Sequence, residues 1–473
     1  MEDLAEYAIR AASTLGADYV EARVMALRSE ELILKNGNVD AYGYSENEGI
    51  GVRLLVDGGL GFASANRLDK ESIEKIVKIA FKTAKASSAL FKKKIEFAGI
   101  VDSKASWTVS VKENPFDVGV DDKINLLTEI EKELLKTGIM LPNRLFEISF
   151  VESRSVFANS EGALIKAEKT LAYMFYNIVA FVPGKGVANR WREFGATGGW
   201  EAMKEWRPVE KIIEEAHILN KVLEEGKKPP NEPVDLILGS EVTGIIVHES
   251  CGHPSEADRI LGREAAQAGE SFIKPKMIGE TIGSEVVTIV DDPTIPKSFG
   301  FYLYDDEGVK ARPRELYKNG KINEFLHNRE TASVFGIESN ASARAVNYAY
   351  EPIIRMANTY FKPGDCEFEE LIEDVKKGVY IKTFMEWNID DRRWNQRYVG
   401  LESYLIENGE IKGFIRNPVL EVTTKGLYSK IDAADKNLAF VAGQCGKGEP
   451  AQAIPVWMGG PNVRVRDIKV GVV

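Results

Sequence analysis

Long apolar runs, a basic leader, paired cysteines and surplus positive charge are all missing from this chain, and each absence closes off a class of protein. No stretch approaches the roughly 18 consecutive apolar residues that span a bilayer. The opening, Met1-Glu2-Asp3-Leu4-Ala5-Glu6, is acidic where a secretory leader is basic, so no signal peptide is expected. Cys251, Cys366 and Cys445 are the only cysteines in 473 residues. An odd, sparse set argues against a disulfide framework and for a reducing, cytoplasmic compartment. Lys and Arg number 61 against 72 Asp and Glu, for a net charge of −11. Such a surface repels phosphate backbones and anionic lipids, so neither nucleic acid nor a membrane is an expected partner. Histidine is the scarcest of all in its implications: His217, His248, His253 and His327 are the full set, and two of the four fall within six residues.

What is present is core material. Hydrophobic residues make up 44% and charged residues 28%, a globular balance. The length exceeds what one core usually holds, so two domains are the default and three are possible. Helical periodicity runs through residues 1–16, 70–86, 124–135 and 209–223, with further helices expected at 367–376 and 427–434. Strands are expected around residues 19–24, 32–34, 51–56, 146–157, 234–238 and 286–290. The dipeptides Asn36-Gly37, Asp57-Gly58, Asn319-Gly320 and Asn408-Gly409 mark hairpins, and Asn159-Ser160-Glu161-Gly162 a further turn. The segment Gly226-Lys227-Lys228-Pro229-Pro230-Asn231-Glu232-Pro233 can neither continue a helix nor join a central strand. The domain break is therefore placed near residue 230, giving residues 1–230 and 231–473. The fold class is α+β, with a strand-dominated second domain.

The histidine pair lies in His248-Glu249-Ser250-Cys251-Gly252-His253. The apolar run 243–248 predicts a short buried helix, with Ser240 as its N-cap. A zinc hydrolase uses neutral imidazoles as ligands and a carboxylate that takes a proton from the attacking water, and His248, Glu249 and His253 supply those groups. The spacing is unusual. Ligands on one helical face stand at i and i+4, whereas i+5 rotates the second by roughly 140° on a regular α-helix. Either a π-type turn absorbs the extra residue or the helix ends before His253. Gly252 tolerates uncommon dihedrals and Pro254 disfavours the α region at His253, so a distortion at Gly252 is expected. Spacing alone does not separate this reading from two core histidines beside a glycine turn. A third ligand is needed, and Cys251, Cys445, Glu256 and Asp258 are the candidates. Cys445 sits in Gly443-Gln444-Cys445-Gly446-Lys447-Gly448, where glycines admit close approach and the lysine favours a thiolate.

These motifs resemble the TldD/PmbA family of peptidases, on the TldD side. The match includes the H-E-x-x-x-H of residues 248–253, Cys445-Gly446-Lys447, Tyr304-Asp305-Asp306-Glu307-Gly308, Arg355-Met356-Ala357-Asn358-Thr359-Tyr360, and the tail Gly459-Gly460-Pro461-Asn462-Val463-Arg464-Val465. The glycine-punctuated hairpin at residues 51–63 is similar too. The resemblance implies an N-terminal α/β domain followed by a predominantly β C-terminal catalytic domain, and zinc held by His248, His253 and Cys445, with Glu249 as the catalytic base. It implies broad hydrolysis of extended, unfolded peptides by a water activated on the zinc. It also implies a homodimer, or a heterodimer with a PmbA-like paralogue that lacks the metal motif. Two other readings stand beside it: a metal-bound assembly or maturation factor that does not cleave, and a metallohydrolase of non-peptide amides.

Other residues read more plainly. Arg355 and Tyr360 are candidates to stabilise the substrate carbonyl, or else ordinary strand residues. Cys251 reads as core. Asp305-Asp306-Glu307 reads as a solvated turn, with a second cation site as the alternative. Glu256 and Asp258 either orient the histidines or lie in a solvated loop. His217 is a surface or packing residue, and His327 carries no assigned role.

Overall fold

The computed structural model describes residues 1–90, 93–99, 104–265 and 268–472. Seven strands before residue 200 form one sheet: β1 (Tyr19–Lys35), β2 (Asn38–Val56), β3 (Gly59–Ala65), β4 (Lys104–Thr108), β5 (Asn143–Asn159), β6 (Leu164–Val182) and β7 (Gly186–Thr197). They run in the order β3-β2-β1-β5-β6-β4, with β7 also paired to β6. All pairings are antiparallel except β4 with β6. The turns follow from local chemistry. Asn36-Gly37 has φ of 48° and 82°, and Asp57-Gly58 has 50° and 69°, the left-handed pair that two-residue hairpins require. Asn319-Gly320 (47°, 73°) and Asn408-Gly409 (52°, 76°) repeat it further along.

Even-numbered residues of the long strands face a layer of helices. α1 (Glu2–Thr14) and α2 (Lys70–Ser88) cover β1–β3 through Ala8, Ala12, Ile73 and Val77 against Val20, Val24, Val52 and Leu54. α2 lies so close to β3 that a Cβ at Gly61 would stand 2.0 Å from the Ala80 carbonyl oxygen. α3 (Val120–Lys136) and α5 (Pro208–Glu225), with the short α4 (Glu201–Trp206) between them in sequence, cover β5 and β6. There Phe146, Phe150, Met174 and Tyr176 meet Leu127, Ile130, Ile212 and Leu219. The odd-numbered face turns toward the C-terminal half. Phe299 stacks on Tyr173 with centroids 5.9 Å apart, and Trp457 Nε1 donates to the Gly195 carbonyl at 2.6 Å.

Residues 226–233 link α5 to β8 (Val234–Leu238). Beyond them the described residues are strand-rich, forming two six-stranded sheets, a four-stranded one and a two-stranded one around one large apolar core. The fold is thus mixed α+β, helix-covered at the N-terminal end and mainly β beyond. Three expectations need correction. The strand expected at 286–290 begins only at Ile289. The helix expected at 367–376 is the single turn and a half Phe368–Ile372. Residues 427–434 divide into the end of a helix, Thr424–Tyr428, and a strand, Ile431–Ala434. That strand pairs with residues 463–465, and sheet pairing overrides the local helical pattern.

No helix among the described residues is long and apolar enough to cross a membrane.

Candidate metal centre

β8 leads through Gly239 into α6 (Ser240–Val247), a helix buried on every side. An all-round apolar helix belongs in a core. Gly244 is why it sits so deep, since a Cβ there would stand 2.9 Å from the Gly459 backbone nitrogen. Gly239, not Ser240, takes the N-cap position, and no side chain caps it. α6 continues into a π-type turn, His248–Gly252, closed by the His253 N–H donating to the His248 carbonyl. The extra residue of the i+5 spacing is absorbed there, and a tight turn, His253–Ser255, follows.

The cause differs in detail from the expectation. Gly252 has ordinary dihedrals (φ −58°, ψ −65°), and His253 keeps the α region despite Pro254. Gly252 is needed for space: a Cβ would stand 1.9 Å from Met356 Sδ.

The two imidazoles end 4.8 Å apart, centroid to centroid, nearly perpendicular at 79°. Cys445 reaches them from the strand Ala439–Lys447. Its Sγ lies 3.5 Å from His253 Nε2. One ligand atom from each of His248, His253 and Cys445 falls within 4.8 Å of the others, all three residues buried. Burial alone would push the Cys445 thiol up, yet the charges of His253, His248 and Arg355 hold it well below the usual thiol range. Burial likewise opposes charge on His248, and the Cys445 thiolate overrides it and raises that imidazole. Three mutually polarised donors of this kind suit a cation. His248 Nδ1 is buried with no hydrogen-bond partner among the described residues. Two imidazoles and a thiolate are a set that zinc accepts, and three protein ligands is the number found in catalytic zinc sites.

Glu256 orients His253. Its Oε2 lies 3.2 Å from His253 Nδ1, and Arg259 Nε and Lys447 Nζ reach the same oxygen at 2.5 and 3.2 Å. Burial opposes its charge, but Lys447, Arg259 and His253 together hold this carboxyl well below the ordinary range. An ionised Glu256 accepts the Nδ1 proton of His253, which leaves Nε2 as the lone-pair atom facing Cys445. Asp258 pairs with Lys447 at 2.7 Å. Both acids thus belong to a buried support rather than to a solvated loop.

Glu249 lies on the same turn, at the wall of a cleft of ≈ 220 Å³ that His248, His253 and Cys445 also line. Its Oε1 accepts from Trp387 Nε1 at 3.1 Å, and its Oε2 from Arg393 Nη1. Trp387 and Arg393 come from the hairpin Phe384–Ile389/Asn395–Gly400 and its turn, where Arg393 adopts φ of 65°. Sequence reasoning missed both. They stand 138 and 144 residues from Glu249, and no local pattern marks them. Glu193, also on the cleft wall, is pushed up to about 7 by burial, against hydrogen bonds from Tyr173 and the Gln444 backbone.

The remaining candidates fall elsewhere. Arg355 is fully buried and donates to the backbone carbonyls of Cys445 and Gln452, so it positions the thiolate strand and does not face the cleft. Tyr360 packs edge-on against Phe440. Cys251 is fully buried, and burial pushes its thiol well up, which suits core packing. Asp305 and Glu307 are buried, not solvated. Asp305 accepts from the backbone N–H groups of Glu307, Val309 and Ala343, and Glu307 pairs with Arg53 at 2.6 Å. Their oxygens are engaged within the protein. His217 is exposed on α5. His327 is buried, with Nδ1 3.1 Å from Thr331 Oγ1.

Three family models match successive parts of the chain: PmbA/TldA metallopeptidase domain 1 at residues 20–84, the central domain at 113–220 and the C-terminal domain at 231–472. A metalloprotease of Methanocaldococcus jannaschii is 34% identical over 94% of this chain and 96% of its own. A zinc metalloprotease TldD homolog of Saccharolobus solfataricus is 35% identical over 52% of this chain and 53% of its own. Among solved structures, TldE from Thermococcus kodakarensis superposes with a TM-score of 0.75 at 20% identity, over 99% of this chain and 100% of that one. A Thermotoga maritima protein described as a putative modulator of a DNA gyrase gives 0.77 at 19% identity, over 99% and 100%.

Proposed function

This chain belongs to the PmbA/TldD metallopeptidase family, and we propose that it is a zinc-dependent peptidase acting on extended, unfolded peptides. The observation that carries the reading is the meeting of His248, His253 and Cys445 within 4.8 Å, with Glu249 on the same cleft wall. A zinc ion held by these three residues would supply Lewis acidity, easing deprotonation of a water and polarising a peptide carbonyl.

The chain's own groups do the rest. Glu249 takes the water's proton and delivers it to the leaving amine. Trp387 and Arg393 each occupy one lone pair of its oxygens, which fixes the carboxylate plane and leaves a second lone pair on each oxygen for the proton. Glu256 keeps His253 in one tautomer, and Arg355 anchors the backbone of Cys445. The strand Ala439–Lys447 is the edge of its sheet, and residues 441–446 of it line the cleft. A peptide laid along such an edge is bound through main-chain hydrogen bonds, which supports broad side-chain tolerance. The proposed assembly is a homodimer or a pair with a PmbA-like paralogue, and the proposed setting is the cytoplasm.

Glu249→Gln tests the assignment. The variant is expected to retain zinc by elemental analysis while hydrolysis of a mixture of unfolded peptides falls by about 10²–10⁴-fold, the usual weight of a general base. Undiminished hydrolysis would remove Glu249 from that role. No hydrolysis by the zinc-loaded wild type would favour instead a non-cleaving metal-bound factor or a hydrolase of non-peptide amides.

A further inference from the structure

A second cavity, of ≈ 130 Å³, lies between the odd-numbered face of the N-terminal sheet and the C-terminal half. It borders the metal-side cleft. Ile454 lines it and stands directly opposite Cys445 in the strand pair, whereas Val456, two residues on, lines the cleft.

Its polar groups are unbalanced. Lys169 and Arg344 both line it, and the Lys169 amine has no hydrogen bond or ion pair among the described residues. Trp107, on another wall, has a buried indole N–H that also lacks a partner among them. The acids present are already engaged. Asp306 Oδ2 accepts from the Ala345 N–H at 2.8 Å and Oδ1 lies 3.5 Å from Arg23 Nη1, while Asp305 is held by three backbone donors. Burial, reinforced by the repulsion of Arg344, holds the Lys169 amine down at about 8 in spite of Asp306. Among the described residues, the Lys169 amine and the Trp107 indole N–H are thus donors without a hydrogen-bond partner, whereas Arg344, on the same lining, donates to the Met356 carbonyl at 2.7 Å. Aromatic and aliphatic side chains such as Tyr304 and Leu171 complete its walls.

We propose that this cavity binds a carboxylate of the extended peptide, with Lys169 as its ion-pair partner and the Trp107 indole N–H as a second donor. A carboxylate is acceptor-only and offers two oxygens, which matches two unpaired donors. The proposal rests on the peptidase reading for the identity of the ligand. The spacing follows from the sheet. Along β6, Lys169 lies six positions from Phe175, the residue paired with Glu193 at the cleft wall. At about 3.3 Å per residue that is roughly 20 Å, a distance an extended peptide covers in about six residues. The carboxylate is either the peptide's C-terminus or an acidic side chain some residues away from the cleaved bond.

Binding of fluorescent octapeptides to zinc-loaded Glu249→Gln protein tests this, in two arms. One compares a free C-terminus with its amide. The other compares Glu with Gln at each position of an amidated peptide. The expected result is a preference of about tenfold for the acid in one arm, which identifies its source, and collapse of that ratio to about one when Lys169→Met is added, with Lys169→Arg restoring it. Equal binding of acid and amide in both arms, or a ratio untouched by Lys169→Met, would overturn the proposal. Hydrolysis by the wild type is scored separately, so failure of the peptidase reading does not mask the outcome at Lys169.

Discussion

Two histidines of the same chemical type are held in different ways at this site, and the difference lies in their neighbours. His253 has a buried, ionised carboxylate behind it, whereas Nδ1 of His248 has no partner among the described residues. The sequence placed Glu256 close by but left open whether it supported the histidine or faced solvent. Only the meeting of Glu256 with Arg259 and Lys447 decides that. Burial of a third histidine has a measurable consequence far from the cleft. It holds His327 down at about 4, where an unburied imidazole titrates near 6.5. The folded state therefore binds fewer protons than the unfolded one between those values. Stability is fully present above about pH 6.5 and is lost as pH falls toward 4, by on the order of 3 kcal/mol. Urea unfolding across that window is expected to show this loss in the wild type and a smaller pH slope in His327→Gln.

At the scale of the element, the decisive piece is the π-type turn that ends α6. The i+5 spacing makes some distortion legible, because two ligands 140° apart on a regular helix cannot share one ion. The steric reason for glycine was not legible, since Met356 approaches from more than a hundred positions downstream. Gly252→Ala is expected to destabilise the protein by about 1–3 kcal/mol through overpacking and to weaken zinc retention, because the turn that aligns His248 with His253 must shift. Denaturant unfolding of Gly252→Ala, Met356→Ala and the double variant measures this. A favourable coupling of about 0.5–3 kcal/mol is expected in the double variant, and strict additivity would show that the Met356 contact is not the cause. Residues 427–434 carry the converse lesson: the first two end a helix, and Ile431–Ala434 became a strand because a pairing partner at 463–465 was available.

For the molecule as a whole, a buried charge cluster fastens the N-terminal sheet to the C-terminal half. Arg53 Nε lies 2.8 Å from Glu21, and Nη2 2.6 Å from Glu307. Arg329 reaches Tyr19 at 2.7 Å and Glu161 at 2.6 Å, and its backbone N–H donates to Glu307. Asp305-Asp306-Glu307, a solvated turn on sequence grounds, is therefore part of the seam that forms the second cavity. Arg53→Met leaves Glu21 and Glu307 buried without their cation. It is expected to cost about 3–5 kcal/mol, the usual penalty for breaking a buried pair from one side, and to expose residues near 300–310 to limited proteolysis. A loss below about 1 kcal/mol in denaturant unfolding would show that the cluster is solvated or replaceable.

Local devices were legible in the residues alone. Asn-Gly and Asp-Gly pairs set the hairpins, apolar periodicity set the long helices, and a rare histidine pair beside a glutamate marked the site at an offset that required a distorted turn. Cys445 was one of four candidate third ligands on local grounds, and only the family resemblance singled it out. Relations between residues far apart in the chain came only with packing: Trp387 and Arg393 on Glu249, Arg355 behind Cys445, and Lys169 in a cavity whose acids, Asp305 and Asp306, are already engaged. The division follows from range. Dihedral preference and side-chain periodicity act over a few residues, whereas burial, charge pairing and the sharing of one ion depend on which strands meet, and that is settled only when the sheets pack.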